Sequence, residues 1–442
     1  MELKDRKTLV VGLGKTGRDT VNFLLNKGAQ VRVSDNSPIS KIQAIVNELE
    51  SRGVEVESGS HTDETFLWAE TIVLSPGVPF GIPQVKKAMA EAIEVISELE
   101  LAWRFIDTPI IAITGSNGKT TTSTLIARIL ERNGKRVFLG ANIGTPLIQI
   151  AEESDKFDVL VLELSSFQLQ GIKNFRPYIA LVLNITPNHL DHHESFDEYV
   201  ESKMKIYSNQ TAEDWFVYNK EDEAIKGYLP KVNSQKVPFS KDNAADGVSY
   251  NGSEITFREY NYDIGSIKLL GLHNIENIMA AIAGTVILGC DPVLIQEEIN
   301  SFEPLEHRNE YVGKLFGAKV YNDSKSTSPA ATARALESLP QPIILIAGGK
   351  DKGVSFKPLK KLVKEKVRLM VLIGESKLKM KEELGDSVPS ELADTLKEAL
   401  DITFQNIKPE DNVLFSPACS SFDMFNSYED RGMKFKQIVE NL

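Results

Sequence analysis

The chain has 442 residues, of which 42% are hydrophobic and 25% charged, and its formal net charge is -12 at pH 7. This composition is typical of a globular enzyme, and the length predicts about three domains of ~150 residues each. The negative charge argues against nonspecific binding to nucleic acid or to an anionic membrane. No apolar stretch is long enough to cross a bilayer, and the charged N-terminus does not lead into a signal sequence. Two distant cysteines, Cys290 and Cys419, indicate a reducing compartment, so we expect a cytoplasmic protein. We also expect a monomer that does not insert into a membrane.

Strand-like and helix-like segments alternate along the chain, which predicts an α/β fold. We expect three domains, 1–97, 98–303 and 304–442, each built on a mainly parallel sheet flanked by helices. The predicted strands are 8–11, 30–34, 71–74, 136–139, 158–162, 179–183, 319–322, 343–347, 369–373 and 413–415. Glycine and polar clusters follow several of these strands, and ligands of open parallel sheets bind at that edge.

The second domain opens with an apolar run, Ile110 to Thr114, followed by Gly115-Ser116-Asn117-Gly118-Lys119-Thr120-Thr121. This order of a strand, a glycine loop and the N-terminus of a helix is typical of a phosphate-binding loop. The N–H groups and the lysine of such a loop hold a nucleoside triphosphate. The match is imperfect, because Ile113 stands where the strict motif has its first glycine. An ordinary turn would have no use for Lys119 and Thr120, so we predict that Lys119 offsets γ-phosphate charge and Thr120 ligates Mg²⁺.

Two further features of this domain suggest metal binding. The aliphatic strand 158–162 ends at Glu163, which we interpret as a metal ligand rather than as a carboxylate paired with a lysine or an N–H. The strand 179–183 leads to His189-Leu190-Asp191-His192-His193, whose spacing fits no zinc signature. We therefore expect only His189 to take part, and we expect His192 and His193 to be solvated.

The first domain carries Gly12, Gly14 and Gly17, and Asp35 follows at roughly the 20-residue spacing of a dinucleotide-binding fingerprint. The contacts that such a motif makes do not identify the nucleotide, since the loop binds a diphosphate and the acid binds a ribose or the edge of a base. A UDP moiety fits as well as a dinucleotide. At the start of the third domain, Arg308 either reaches the nucleotide or is a surface arginine, and both interpretations stay open here.

Taken together, these segments resemble the Mur ligase family of peptidoglycan synthesis over essentially the whole chain. The phosphate loop 114–120 has that family's short form. The resemblance continues through 140–144, 163–168, 184–191, 273–277, 307–308 and 322–327. Within the family, the likeness favours the branch that adds D-glutamate to UDP-N-acetylmuramoyl-L-alanine. The compact N-terminal glycine motif, the segment 416–423 and the lack of an Asp-Asn-Pro-Arg motif support this choice.

The resemblance implies a Rossmann-like N-terminal domain, a P-loop ATPase central domain and a Rossmann-like C-terminal domain. It implies that ATP and two Mg²⁺ ions are the cofactors, and it implies the following site residues. The implied UDP-substrate-binding residues are Lys15, Thr16, Asp35, Asn36, Gly77, Asn142 and His189. The implied ATP-binding residues are Gly115, Ser116, Asn117, Gly118, Lys119, Thr120, Thr121, Asn274, Asn277, Arg308 and Asp323. Metal binding falls to Thr120, Glu163, His189 and Lys203, the last as a carbamate, and D-glutamate binding to Lys325, Thr327, Lys352, Ser421, Phe422 and Tyr428. The catalytic set is Lys119, Glu163, His189 and Lys203.

Other interpretations explain less of the chain. A nicotinamide dehydrogenase would account for the first glycine loop and leave the phosphate loop unexplained. A phosphate-loop NTPase acting as a binding module would leave the clusters of the third domain unexplained. A sister ligase that adds another amino acid, or an enzyme similar to folylpolyglutamate synthase, is the strongest competitor. The N-terminal domain argues against the folate type.

Overall fold

The computed structural model describes residues 2–187, 193–242, 246–385 and 388–441. The chain divides into two compact units, one of Met1–Gly265 with Glu276–Ile299 and one of Ser266–Ile275 with Asn300–Leu442. The first unit contains two sheets and the second contains one. Within the described ranges, no helix has the length and apolarity that crossing a membrane requires.

The first sheet is entirely parallel. Its strands are β1 (Lys7–Val11), β2 (Gln30–Asp35), β3 (Glu55–Ser58), β4 (Thr71–Leu74) and β5 (Glu94–Ser97), with helices α1 (Lys15–Asn26), α2 (Ile39–Ser51), α3 (Asp63–Leu67), α4 (Pro83–Ala90) and α5 (Glu98–Trp103). The strand order is β3-β2-β1-β4-β5. The order reverses direction at β1, so the glycine loop after β1 lies at the switch point where such sheets bind ligands.

Two glycines shape that loop. Gly12 has φ +92°, a conformation that residues with a Cβ rarely adopt. A Cβ on Gly17 would lie 1.8 Å from the carbonyl oxygen of Gly12, so only glycine lets α1 start this close to the loop.

The second sheet is the largest. Its strands are β6 (Ile110–Thr114), β7 (Val137–Ala141), β8 (Val159–Glu163), β9 (Ile179–Val182), β10 (Trp215–Asn219), β11 (Gln235–Ser240), β12 (Val248–Tyr250), β13 (Glu254–Phe257) and β14 (Tyr260–Asp263). Its helices are α6 (Lys119–Arg132), α7 (Ser166–Gln170), α8 (Phe196–Met204), α9 (Glu223–Lys226), α10 (Leu272–Ile287) and α11 (Pro292–Ser301). The order is β14-β13-β12-β11-β10-β9-β6-β8-β7, antiparallel only from β12 to β14. The strands after residue 233 therefore extend the central sheet.

The third sheet belongs to the second unit. Its strands are β15 (Glu310–Leu315), β16 (Ala318–Asn322), β17 (Ile343–Gly348), β18 (Val367–Ile373), β19 (Ser390–Leu392) and β20 (Asn412–Phe415), with helices α12 (Pro329–Ser338), α13 (Lys360–Lys366), α14 (Lys377–Leu384), α15 (Leu396–Asn406) and α16 (Tyr428–Glu440). The order is β15-β16-β20-β17-β18-β19, and only the β15–β16 pair is antiparallel.

The predicted fold class is confirmed, because three mainly parallel sheets are flanked by helices and the predicted strands recur with ends within two residues. The sequence also predicts short strands in the glycine- and asparagine-rich region 233–265, where β11 to β14 lie. Five other short strands, β3, β5, β10, β15 and β19, were not predicted. The boundaries after residues 97 and 303 stay predictions.

The buried carboxylate of Glu100 ties α5 to the loop after α7. It accepts backbone N–H groups of Lys173, Asn174 and Phe175 at 2.9 to 3.1 Å, and it pairs with Arg104 at 3.1 Å. These donors satisfy the charge that burial would otherwise make costly. Glu100 is therefore one of the groups that connect the first and second sheets, together with the Ser97 N–H, which donates to the carbonyl of Gly171 at 3.0 Å.

We predict that Glu100→Ala destabilises the first unit by about 3 kcal/mol, because three N–H donors and Arg104 lose a buried acceptor. Thermal unfolding followed by circular dichroism should show a melting temperature several degrees lower. Glu91→Ala, which changes an exposed glutamate just after α4, is the control. Equal melting temperatures for the two variants would contradict this role.

Candidate functional site

The phosphate loop joins β6 to α6 in the first unit. Gly118 caps α6 with φ +85°, and a Cβ there would lie 2.1 Å from Oδ1 of Asn277. Glycine is therefore required both by the backbone conformation and by the close approach of Asn277. The structure thus brings Asn277, a predicted ATP-binding residue, against the loop.

Asn184, which follows β9, fixes the shape of the loop. Its side-chain Oδ1 accepts the N–H of Asn117 at 3.0 Å, and its Nδ2 donates to the carbonyl of Asn117 at 3.0 Å. The N–H of Ser116 donates to the Asn184 carbonyl at 2.8 Å. Asn184 is not among the predicted site residues, although it stands directly after a predicted strand. Asn184 reaches the phosphate loop because β9, the strand before it, pairs with β6, the strand before the loop.

Two lysines meet at one carbonyl oxygen. Lys119 Nζ donates to the Gly115 carbonyl at 2.9 Å, and Lys203 Nζ donates to the same oxygen at 3.0 Å. Lys203 is only 2% exposed, and its amine also lies 4.7 Å from the ring centre of Tyr199. Burial, and secondly the charge of Lys119, hold the pKa of Lys203 well below its usual value against the opposing effect of Glu163. Lys203 therefore gives up its proton more readily than an exposed lysine does.

Tyr199 is a further residue that the sequence did not single out. Its hydroxyl lies 2.9 Å from Oγ of Ser116, and Ser116 Oγ donates to the carbonyl of Thr186 at 2.9 Å. Burial raises the pKa of Tyr199 to about 12, so it remains a neutral hydrogen-bonding group. Tyr199 links α8, the helix that carries Lys203, to the phosphate loop.

Glu163 ends β8 at the same edge of the sheet and is 2% exposed. Its Oε1 accepts from Nδ2 of Asn142 at 2.6 Å, and the N–H of Asn142 donates to the Glu163 carbonyl at 2.9 Å. Its Oε2 is buried and has no hydrogen-bond partner among the described residues. A buried carboxylate oxygen with no partner is costly unless a cation or donor satisfies it. The donor set thus fits the predicted metal ligand, with Asn142 orienting it.

The histidine cluster is only partly described. His189, Asp191 and His192 lie outside the described residues, so the structure does not test the role given to His189. The expectation that His193 is solvated is wrong, because it is 4% exposed. Its Nε2 lies 2.9 Å from Oγ of Ser166, and its ring stacks on Phe167 with centres 5.3 Å apart. The sequence around His193 is polar, but the His193 ring lies against α7 and is therefore buried.

In the first sheet, Asp35 organises the glycine loop. Its Oδ2 accepts the N–H of Leu13 at 2.5 Å, and its Oδ1 accepts the N–H of Ser37 at 2.7 Å. Burial alone would raise the pKa of Asp35, but these two N–H groups and further hydrogen bonding from Ser37 outweigh it, so the net shift is downward. The carboxylate is ionised and holds the loop open at the switch point.

The other predicted UDP-binding residues that the structure describes lie in the first unit, near the carboxyl ends of strands. Lys15 begins α1, and its Nζ donates to the carbonyl of Gly144 at 2.8 Å. Thr16 is half-buried beside it, while Asn36 and Gly77 are exposed. Asn142 contacts Glu163 as described above. The predicted UDP-binding residues are therefore distributed over the carboxyl ends of strands in both sheets of this unit.

In the second unit, Asp323 follows β16 and is buried. Its Oδ2 accepts from Oγ of Ser416 at 2.7 Å, and its Oδ1 accepts the N–H of Asn309 at 3.2 Å. Burial raises the pKa of Asp323 to about 6, against hydrogen bonds from Ser326 and Ser416. Arg308, the neighbour of Asn309, lowers that pKa electrostatically. Asp323 and Arg308, both predicted ATP ligands, are thus close enough to interact.

Asn274, another predicted ligand of this unit, donates from Nδ2 to the Leu270 carbonyl at 2.7 Å.

Two of the predicted D-glutamate ligands are in contact. The amine of Lys325 donates a hydrogen bond to the hydroxyl of Tyr428 and lies 4.1 Å from the centre of its ring. Ser421 is buried, Thr327 is half-buried, and Phe422 is 73% exposed after β20. Lys352 is exposed on the loop after β17. These residues share the carboxyl edge of the third sheet.

Arg431 on α16 was not predicted, yet it is almost completely buried. Its Nε donates to Oγ of Ser324 at 3.0 Å, its Nη2 to the carbonyl of Ser324 at 2.7 Å, and its Nη1 to the carbonyl of Cys419 at 3.1 Å. Ser324 lies between Asp323 and Lys325, and Cys419 lies two residues before Ser421. Arg431 therefore joins the two loops that carry the predicted ligands of this unit.

We predict that Arg431→Leu destabilises the second unit by about 3 kcal/mol, since three acceptors lose their buried donors. Chemical denaturation followed by fluorescence measures the loss. Lys434→Ala, which removes an exposed salt bridge to Asp430 on the same helix, should cost under about 0.5 kcal/mol. Similar losses in the two variants would refute the claim that Arg431 holds these loops together.

Three protein-family models match successive parts of the chain. The model of the Mur ligase MurD-like N-terminal domain matches residues 6–97, that of the Mur ligase middle domain matches residues 113–285, and that of the Mur ligase, glutamate ligase domain, matches residues 307–419. A protein of Citrifermentans bemidjiense named UDP-N-acetylmuramoylalanine--D-glutamate ligase is 45% identical over 99% of this chain and 98% of its own length.

Solved structures share the fold at lower identity. A pseudomurein peptide ligase type C from Methanothermus fervidus covers 99% of this chain and 100% of its own, with 18% identity and a TM-score of 0.63. A MurF ligase from Thermotoga maritima in complex with ADP covers 100% of this chain and 96% of its own, with 18% identity and a TM-score of 0.61. With a full-length relative at 45% identity and three Mur ligase domain models in order, this chain belongs to the Mur ligase family and is a ligase.

Proposed function

We propose that this ligase joins D-glutamate to UDP-N-acetylmuramoyl-L-alanine with conversion of ATP to ADP and phosphate, a step of peptidoglycan precursor synthesis. The observation that carries the proposal is the convergence of Lys119, Lys203 and Glu163 at the phosphate loop. The full-length relative that bears the name of this activity supports the choice of amino acid. The proposed domains are 1–97 for the UDP substrate, 98–303 for ATP and 304–442 for the amino acid.

The UDP end of the substrate would bind at the switch point of the first sheet. The N–H groups after Leu13, at the start of α1, would face the diphosphate, and Asp35 would keep the loop in shape through the N–H of Leu13. Lys15 would neutralise phosphate charge from the first turn of α1, and Thr16, Asn36 and Gly77 would complete the pocket. Asn142 would contact the diphosphate–muramoyl part while it orients Glu163.

ATP would bind along residues 115–121, with Lys119 offsetting the charge of the γ-phosphate. Asn274, Asn277, Arg308 and Asp323 would hold the rest of the nucleotide. Magnesium, when bound, would neutralise the phosphate oxygens and polarise the γ-phosphorus. Thr120 and Glu163 would hold one ion. The buried Oε2 of Glu163 fits that role, because no hydrogen-bond partner for it lies within the described residues. His189 and Lys203 would hold a second.

A lysine ammonium offers no lone pair, and Mg²⁺ prefers oxygen to the nitrogen of a neutral amine, so Lys203 would serve as a magnesium ligand only after modification. A neutral amine attacks the carbon of CO₂, forms an N–C bond and releases a proton, which leaves an anionic carbamate with two oxygens. The burial that disfavours the ammonium form favours this reaction. Carbamylation would also replace the repulsion between Lys203 and Lys119 with attraction.

The reaction would proceed in two steps. The alanyl carboxylate attacks the γ-phosphorus, and ADP leaves to give an acyl phosphate. The free amine of D-glutamate then attacks the acyl carbon, and the tetrahedral oxyanion collapses to the amide with release of phosphate. Lys325, Thr327, Lys352, Ser421, Phe422 and Tyr428 would orient D-glutamate. The protein contributes mainly positioning and charge neutralisation.

Phosphate release tests this function directly. With ATP, Mg²⁺ and UDP-N-acetylmuramoyl-L-alanine present, amino acids are added one at a time, and we expect release with D-glutamate only. Release with another amino acid would keep the ligase and overturn its specificity. Release that depends on no amino acid would reject the ligation reaction and favour a phosphate-loop NTPase.

We predict that Asn184→Ala raises the KM for ATP about 10-fold or more, since the loop loses both hydrogen bonds that fix Asn117. Steady-state kinetics with varied ATP measures this change. Asn219→Ala is the matched control, because Asn219 ends the adjacent strand β10 and its side chain accepts from Glu221 instead. An unchanged KM in Asn184→Ala would show that the loop keeps its shape without this side chain.

A further inference from the structure

One face of α1 lies against the segment that follows β7. Lys15 Nζ donates to the carbonyl of Gly144 at 2.8 Å, and Lys27, at the end of α1, pairs with Glu152 at 2.6 Å. Helix residues spaced by four share a face, so Asp19, four residues after Lys15 and eight before Lys27, belongs to this face. Asp19 is half-buried there, and its Oδ2 is buried without a hydrogen-bond partner in the described part of the chain.

Glu98, the first residue of α5, lies on the other side of this contact and is 1% exposed. Its Oε1 accepts the N–H of Ile148, on the segment after β7, at 2.8 Å. Phe23, one turn after Asp19, packs against Phe105 beyond the end of α5, with ring centres 5.1 Å apart. The charge of Asp19 also acts on Glu98. The two carboxyl groups therefore face each other across one contact.

One proton would satisfy the buried oxygens on both sides of this contact. Like Oδ2 of Asp19, Oε2 of Glu98 is buried and has no hydrogen-bond partner among the residues that the structure describes. Burial raises the pKa of Glu98 to about 7 against the hydrogen bond from Ile148, and the charge of Asp19 adds to the rise. A protonated carboxylic acid has one O–H donor, and an ionised one only accepts. Glu98 can thus supply the donor and Asp19 the acceptor.

The other charged groups around the contact have partners of their own or lie on its exposed side. Arg104 on α5 pairs with Glu100 at 3.1 Å and with Glu94 on β5 at 2.8 Å. The turn Leu147–Ile150, α7 and β4 also pack against α5, and they carry no ionisable side chain. The charged groups around Asp19 are Lys15, Lys27, the exposed Arg18 and, across a groove, Glu48 of α2. Asp19 is therefore the charged group that acts on Glu98.

We propose that Glu98 is a protonated carboxylic acid whose Oε2–H donates to Oδ2 of Asp19, and that this shared proton positions α1 against the segment after β7. Lys15, a residue of the proposed UDP site, stands one turn before Asp19, and Asn142, another such residue, begins that segment. Loss of the proton at higher pH leaves two negative charges facing each other in a buried contact, which loosens it. The role of the pair in positioning the UDP substrate rests on the proposed function.

Glu98→Gln imitates the protonated form at every pH, because its Oε1 accepts from Ile148 and its amide N–H donates to Asp19. Folded Glu98 keeps its proton up to a pH of about 7, whereas an unfolded glutamate loses it near pH ~4.3. The stability that the proton contributes is therefore complete below that lower pH and is lost as the pH rises toward 7. We expect the melting temperature of Glu98→Gln to exceed that of the wild type by several degrees more at pH ~8 than at pH ~5.

Glu91→Gln, which changes an exposed glutamate, is the control for this melting experiment and should differ from the wild type equally at both pH values. A difference between Glu98→Gln and the wild type that is the same at both pH values would overturn the proposal.

Glutamate labelled with ¹³C at the side-chain carboxyl reports the proton directly by NMR. The wild type should show one carboxyl resonance that titrates near pH 7 and is missing from Glu98→Gln. Asp19→Asn removes the facing charge and offers an amide donor to the ionised Glu98, so the midpoint should fall below about 6. A wild type in which every glutamate titrates below about pH 5.5, or an unchanged midpoint in Asp19→Asn, would overturn the shared proton.

The positioning role is measured by the KM for UDP-N-acetylmuramoyl-L-alanine at saturating ATP and D-glutamate. From pH ~6 to pH ~8.5, the wild-type KM should rise about 3-fold or more relative to that of Glu98→Gln, while the ratio of the kcat values stays constant. A constant ratio of the KM values would overturn the positioning role. A wild type without ligase activity at any pH would reject the proposed function instead, and the melting and NMR results would still decide whether the proton is shared.

Discussion

The burial of the Lys203 amine against the carbonyl of Gly115 is the constraint on which the central site depends. A charged ammonium in this position would be poorly solvated and would face a second ammonium, that of Lys119, at the same oxygen. Proteins retain such an arrangement when the site has a use for it, because removing the amine would be the simpler route to stability. A neutral amine beside a phosphate loop is available for covalent chemistry, and the proposed carbamate gives it that use.

The rest of the central site can be understood as support for that arrangement. Asn184 fixes the loop backbone from one side, and Tyr199 connects the loop to the helix that carries Lys203. Asn142 aligns Glu163, and one oxygen of Glu163 has no hydrogen-bond partner in the part of the chain that the structure describes. All these side chains come from the carboxyl ends of neighbouring strands or from the helices that follow them. A parallel sheet thereby brings together residues from remote parts of the sequence at one edge.

The sequence was sufficient for the fold class and for the residues that lie in motifs at strand ends, because glycine loops and buried aliphatic strands leave local patterns. It was not sufficient for Asn184, Tyr199 and Arg431, whose hydrogen-bond partners lie in segments far away in the chain. His193 was wrongly expected to be solvated, because a polar local sequence does not reveal that α7 covers it. The short strands β3 and β19 were missed because they are brief and polar and depend on pairing with longer neighbours. The role of Asp35 in holding its own loop also appeared only in three dimensions.

The most direct test of the central claim is a ¹³C NMR spectrum of the full chain in ¹³C-bicarbonate, compared with that of Lys203→Ala. The account predicts one carbamate resonance in the wild type that is absent from the variant, and it predicts that the resonance weakens when the buffer is purged of CO₂. Lys205→Ala, which removes the amine two residues away, should keep the resonance. A wild-type spectrum without any carbamate signal, or a signal that persists in Lys203→Ala, would contradict the claim that this buried amine is the reactive group of the site.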